Sequence, residues 1–260
     1  MSNDEVSAAE QHGMTAGAGA IEPRPRVIAP WWHTVLVLVQ LMAVALIGPR
    51  SVRSRMDMPH VALYTVAVMS MWLQLGAVVA GVYRRRRFFF DTLQRGVRSW
   101  WVDAQRGLVV YLATLLMFAM VAAALHRLGL HPGFDREVLM MMAPNSWLEL
   151  LMWLGVCGSV GFCEEHVFRG YLLQQMIAWG AKAGASPRVS ASIAVVVTSV
   201  LFGSLHVYEG VGGAVLIACL GAMYAVVALR LGNLRAVIVA HVLQDFLAFV
   251  MIMTRHLHGA

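Results

Sequence analysis

Two adjacent glutamates are followed by a histidine and, four residues after the second glutamate, an arginine in "GFCEEHVFRG", residues 161–170, a stretch that is otherwise apolar. A charged side chain at bilayer depth costs about 2.5 to 3.5 kcal/mol on insertion scales, so four ionisable groups in one apolar run imply pairing, chemistry or both. On a helix, Glu165 and Arg169 share a face and form a ready ion pair. Glu164 lies about 100 degrees around the axis, without an obvious local partner. The spacing therefore predicts a structural carboxylate, Glu165, and a chemical one, Glu164. Two later stretches supply companions. "FGSLH" places Phe202 and His206 one turn apart, and "HVLQD" places His241 and Asp245 on one face at spacing four. Three helices thus present ionisable groups that could converge on one buried site.

The elements that must position these groups are membrane helices. At 260 residues, 59% hydrophobic and only 13% charged, the chain is too apolar for a soluble domain and is expected to be an integral membrane protein. Its basic residues are nineteen arginines and a single lysine, Lys182, placed mostly between apolar runs, which is a topology signal rather than a nucleic-acid surface. No nucleic-acid partner is expected. Cys157, Cys163 and Cys219 sit in apolar runs and read as small packing residues; beside two carboxylates, Cys163 is poorly placed to ionise. There is no internal repeat and no glycine-rich phosphate cradle.

Seven apolar runs are long enough to span: 31–48, 61–83, 108–125, 147–168, 189–207, 211–229 and 234–254. The expected fold is an all-α polytopic transmembrane bundle of about seven spans. Residues 1–30, rich in Ala, Gly and Pro, read as a disordered cytoplasmic tail. Residues 31–145 form the N-terminal transmembrane helices. Within them a basic, aromatic segment near 84–107 reads either as an interfacial helix or as a solvated loop. Residues 146–255 form a core of the C-terminal four spans. If the tail lies in the cytoplasm, thirteen basic residues share its side against six opposite, which puts the N-terminus inside and the C-terminus outside.

Local signals refine the core. Ser146 and Glu149 resemble a capping box, so the fourth helix starts at Trp147 and runs through the glutamates toward Lys182. The turn "AGASPR" near residue 185 folds a hairpin that brings residue 164 level with His206. His241, however, is only about 10 Å of helix from its cytoplasmic loop, whereas Glu164 and His206 are about 30 Å from theirs. Convergence therefore requires the hairpin to project, tilt or break. Small residues at Gly155, Gly158, Gly161, Gly221 and Ala225 are expected to allow close helix contact. His33, His60, His126, His131, His256 and His258 fall at span ends or in loops and read as interfacial. His166 is a weaker candidate inside the motif, and Met140 to Met142 read as packing at the outer surface.

The three motifs, in order, resemble those of the CPBP family of intramembrane proteases, which includes the CAAX prenyl endopeptidases and the bacteriocin-processing and immunity proteins. "EEHVFR" is similar to its EExxxR motif, "FGSLH" to FxxxH, and "HVLQD" to HxxxN/D. The resemblance covers roughly residues 145 to 255. It implies an intramembrane endopeptidase in which Glu164 activates a water held and polarised by His206. Glu165 and Arg169 would support the site, and His241 and Asp245 would stabilise the developing oxyanion. Peptide hydrolysis needs such a base and such donors. The family often has Asn where Asp245 stands, and an ionised Asp accepts but does not donate. Asp245 would then be protonated, orient His241 or bind a cation.

Two cofactor readings follow: none, or a divalent metal such as zinc held by Glu164, His206, His241 and Asp245. No HExxH helix is present to set such a site. The expected partners are the lipid bilayer and a peptide or membrane-protein substrate, with or without a lipid such as a prenylated CAAX cysteine. An arginine-rich, lysine-poor chain points to a bacterial inner (plasma) membrane, where a leader peptide is an equally plausible substrate. Two other readings stand beside protease: an idle binding or immunity factor, and an ion or proton transporter using the buried carboxylates as a relay.

Overall fold

A computed structural model describes residues 27–53, 58–82, 99–131 and 133–259. Its order is α1 (Trp31–Arg53), α2 (His60–Val82), α3 (Trp100–Arg127), α4 (Arg136–Met142), α5 (Trp147–Glu165), a π-helical turn (His166–Leu172), α6 (Leu173–Lys182), α7 (Pro187–Ser204), a 3-10 turn (Val207–Glu209), α8 (Val211–Leu231) and α9 (Arg235–Gly259). The described residues contain no strand, so the protein is all-α. Among the described residues five helices are long and apolar enough to cross a membrane: α2, α3, the continuous helix Trp147–Lys182, α7 and α8. The protein is an integral membrane protein. Helices α1 and α9 occupy the places of the first and last expected spans, but the count of seven is not reached by length and composition.

Helix starts follow their capping chemistry. Ser146 Oγ accepts from Glu149 N–H at 3.2 Å, and the helix begins at Trp147. The reciprocal half of the expected box is different: Glu149 Oε2 accepts from Asn145 N–H at 2.8 Å and bonds His60 Nδ1 at 2.7 Å. Ser186 caps α7, Pro187 opens it, and Gly184, at φ +86°, turns the chain between α6 and α7 where the hairpin was expected. The third helix begins at Trp100, so residues 100–107 continue the span rather than precede it. Residues 84–98 of the basic segment and residues 1–26 of the tail lie outside the described residues.

The helix from Trp147 to Lys182 has 36 residues. At 1.5 Å per residue this is about 54 Å, against a hydrocarbon core of about 30 Å, so it must tilt or project beyond the bilayer. Glycines set its neighbours' distances. A Cβ on Gly161 would lie 3.1 Å from Val242 on α9, and one on Gly203 would lie 2.5 Å from the Ala214 carbonyl on α8. Gly221 faces Phe202 and Ser199 in the same way, and Ala225 is buried. Gly155 and Gly158 differ from expectation: nothing lies within 4 Å of where their Cβ would be. They fall away from the helix contacts.

The histidines divide as well. His126 and His131 are exposed, as interfacial groups would be. His33 is buried at 8% exposure, bonded to Tyr171 and to the Ala77 carbonyl, so it belongs to the helix packing. Its position at a span end hid this, because the ring turns inward between Tyr171 and α2 at Ala77 and Gly81.

Candidate active site

Glu164 and Glu165 end α5, and the helix then widens into the π turn His166–Leu172, where Leu173 N–H donates to Phe168 O five residues back. Such turns concentrate at functional sites because they break the regular register. Across from it stands α9, brought close by Gly161. The consequence is a single imidazole held between two consecutive carboxylates. Glu165 Oε1 lies 2.8 Å from His241 Nδ1, and Glu164 Oε2 lies 3.7 Å from Nε2 of the same ring. Residues 100 degrees apart on a helix can do this only because they grip opposite nitrogens of a ring set between them.

Glu165 is completely buried and anchors the cluster. Its Oε1 also accepts from Arg169 Nη1 at 3.0 Å, and Arg169 Nη2 donates to the Gly221 carbonyl at 3.3 Å. The guanidinium lies 4.4 Å from the Phe202 ring centroid and 5.8 Å from that of Tyr224. Carboxylate, guanidinium, carbonyl and aromatic faces thus compensate one another where a lone charge would be costly. Glu164 is arranged differently. Both glutamates leave a buried Oε2 without a hydrogen-bond partner, but Glu165 is bonded through Oε1 to Arg169 and His241, whereas Glu164 meets His241 only at 3.7 Å, too long for a direct hydrogen bond.

Asp245, one turn along α9, approaches His241 Nε2 at 3.5 Å and is 30% exposed, the most open of the four acidic and imidazole groups at the ring. Trp153 Nε1 reaches the Asp245 carbonyl at 3.5 Å and fixes that turn from α5. His206 ends α7. Its Nδ1 lies 2.9 Å from the Phe202 carbonyl, an acceptor only, so Nδ1 carries the proton and Nε2 is left as an acceptor. Among the described residues no hydrogen bond joins His206 to Glu164; His206 meets the cluster through the edge of Phe202, whose ring is 5.0 Å from His206 and 6.3 Å from His241. His166, by contrast, bonds the Phe162 carbonyl of its own helix at 2.7 Å and joins no member of the site.

Two residues at the site went unnoticed in the sequence. Tyr224, fully buried in α8, places its ring 6.0 Å from His241. A tyrosine in an apolar run has no spacing that would reveal it. Glu209 follows His206 by three residues, is 9% exposed, and is held by Asp135 N–H donating to its carbonyl at 2.6 Å. Burial pushes its carboxyl above the usual range, against the opposing pull of His206, while Glu164 adds to the rise. A signal existed: beyond Glu165, Glu209 and Asp245 are the chain's remaining acidic residues.

The donors do not fit a metal as they stand. Among the described residues no three His, Cys, Asp or Glu side chains form a group that could hold an ion. Glu164 and Asp245 both point at one ring nitrogen, which is how acceptors surround a donor, and ligands would instead point at a common centre. No step below passes through a metal.

Residues 145–247 match a family model described as type II CAAX prenyl endopeptidase Rce1-like. No curated protein and no solved structure matches the chain.

Proposed function

We propose, from the match of residues 145–247 to the Rce1-like type II CAAX prenyl endopeptidase family model, that the protein is an intramembrane endopeptidase that hydrolyses peptide bonds of membrane-associated substrates. The observation that carries the site assignment is the buried, unpartnered Glu164 Oε2 opposite His241 Nε2. At 3.7 Å the two atoms do not bond each other directly, so both are free to bond a water lying beside them, Glu164 accepting and His241 donating. Glu164 takes a proton from that water as it attacks the scissile carbonyl, and His206 Nε2 accepts its other hydrogen and holds it. His241, protonated at both nitrogens, donates from Nδ1 to Glu165 and from Nε2 toward the oxyanion that forms. Asp245 orients His241, so it needs no amide to donate. Glu165 and Arg169 keep the imidazole in place. When the tetrahedral adduct collapses, Glu164 returns its proton to the leaving amine.

In this reading catalysis is glutamate-dependent. The substrate enters from the bilayer and is a prenylated CAAX-type protein or a leader-peptide substrate. The basic-residue bias supports a cytoplasmic N-terminus, and the arginine-rich, lysine-poor composition supports a bacterial cell. The test is mass-spectrometric mapping of protein termini in membranes from cells expressing wild type or Glu164→Ala at matched levels. Termini dependent on Glu164, persisting when a zinc chelator is added, are expected. Indistinguishable profiles from two folded, abundant proteins would sink the protease reading and favour a binding or immunity role.

A further inference from the structure

The π turn beside the glutamates is held by a buried chain of hydrogen bonds from helices outside the family-matched segment. Tyr171, in the π turn and fully buried, places its hydroxyl 2.8 Å from both His33 Nδ1 and Thr34 Oγ1 of α1. His33 Nε2 lies 3.0 Å from the Ala77 carbonyl of α2. Gln175, one turn beyond Tyr171 and also fully buried, places Nε2 3.2 Å from Thr34 Oγ1. Its Nε2 also donates to Ala29 O at 2.7 Å, and its Oε1 accepts from Ile28 N–H at 2.9 Å and Ala29 N–H at 3.3 Å.

The direction of every bond follows from one end. A carbonyl only accepts, so His33 Nε2 carries the proton and, in the neutral ring, Nδ1 accepts from Tyr171 O–H. Tyr171 then accepts from Thr34 O–H, and Thr34 from the Gln175 amide. The chain is neutral, satisfied and polarised in one sense, which strengthens each link. It passes through Tyr171, two residues from Arg169. The His33 ring fills the space where Gly81 would carry a side chain, so α1 cannot shift without leaving α2.

We propose that Tyr171, Thr34 and His33 are positioning residues: they hold the π turn in the register that sets Glu164 against His241, so α1 and α2 complete a site whose reacting groups all lie elsewhere. The inference builds on the proposed proteolysis, but one arm of its test does not. In full-length protein, Tyr171→Phe and Thr34→Val are each expected to lower kcat for a Glu164-dependent cleavage about tenfold or more with KM unchanged, since small misplacements act on the chemical step. Thr34→Ser keeps the hydroxyl and is expected to restore wild-type kcat. Ser70→Ala, which removes an exposed hydroxyl bonded within α2, is the unchanged control. Wild-type kcat in Thr34→Val, or a rise in KM without a fall in kcat, would overturn the proposal. In parallel, hydrogen exchange of amides 166–172 is expected to quicken in Tyr171→Phe and Thr34→Val, while Glu164→Ala leaves it unchanged. Unaltered exchange in the first two overturns the proposal whether or not the protein cleaves anything. Absence of cleavage by wild type with quickened exchange counts against the protease reading alone.

Discussion

At the scale of single residues, the site separates charges that are compensated from charges that are left free. Glu165 has Arg169 on one side and His241 on the other, so removing either leaves a buried carboxylate with a single partner, a change bounded by the about 3 to 5 kcal/mol that breaking a buried pair outright costs. Glu164, one residue earlier, has no hydrogen bond at Oε2 and meets His241 Nε2 only at 3.7 Å. Glu209 is a third case, a carboxyl whose burial favours the protonated form. The folded state therefore binds that proton more tightly than the unfolded chain. Its contribution to stability is present below the ordinary carboxylate range and is lost as pH rises through the raised value. Glutamine keeps the shape and cannot titrate. The thermal midpoint of wild type minus that of Glu209→Gln should accordingly fall as pH rises from mildly acidic to mildly alkaline. A difference that stays flat with pH would refute the buried titration.

At the scale of elements, helix distances are set by which glycines face a neighbour. Gly203, inside the "FGSLH" stretch, lets α7 approach α8 so closely that a Cβ would stand 2.5 Å from the Ala214 carbonyl and 2.7 Å from Ala218 Cβ. Neither backbone oxygen nor Cβ can swing aside, so Gly203→Ala should destabilise the protein by about 1 to 3 kcal/mol, as overpacking does. It should also displace Phe202 and His206. Gly155→Ala, where nothing lies within 4 Å, should be neutral or stabilising by about 0.5 to 1 kcal/mol. Thermal unfolding of the pair in one detergent checks both, and equal effects would contradict the packing account. The Glu165–Arg169 pair was legible from spacing alone, because i,i+4 geometry survives at the start of the π turn. The π turn itself was not, since nothing in "HVFRGYL" breaks a helical pattern; long-range contacts through Tyr171 and Arg169 hold it.

At the scale of the whole molecule, the long helix Trp147–Lys182 settles how groups at unequal nominal depths can meet, because it exceeds one bilayer thickness and need not start and stop at the two surfaces. The proposed orientation has a direct check. With the N-terminus inside and an odd number of crossings, a membrane-impermeant maleimide should label Ala260→Cys from outside and leave Ser7→Cys unlabelled until the membrane is opened. Labelling of both from one side would mean that α1 or α9 does not cross. The histidines show why such placement is hard to read locally. His33 and His126 both stand near helix ends, yet one is packed against Tyr171 and α2 and the other is exposed.

The sequence alone determined the helical membrane class, the start at Trp147, the hairpin turn, the Glu165–Arg169 pair and the family resemblance of residues 145–247, because composition, capping chemistry, short helical spacings and ordered motifs are all local properties. Tertiary structure decided that one imidazole is shared by both glutamates, that Glu209 and Tyr224 border the site, and that α1 reaches into it through His33 and Thr34. These depend on which helix faces meet, and that is set by packing between residues far apart in the chain.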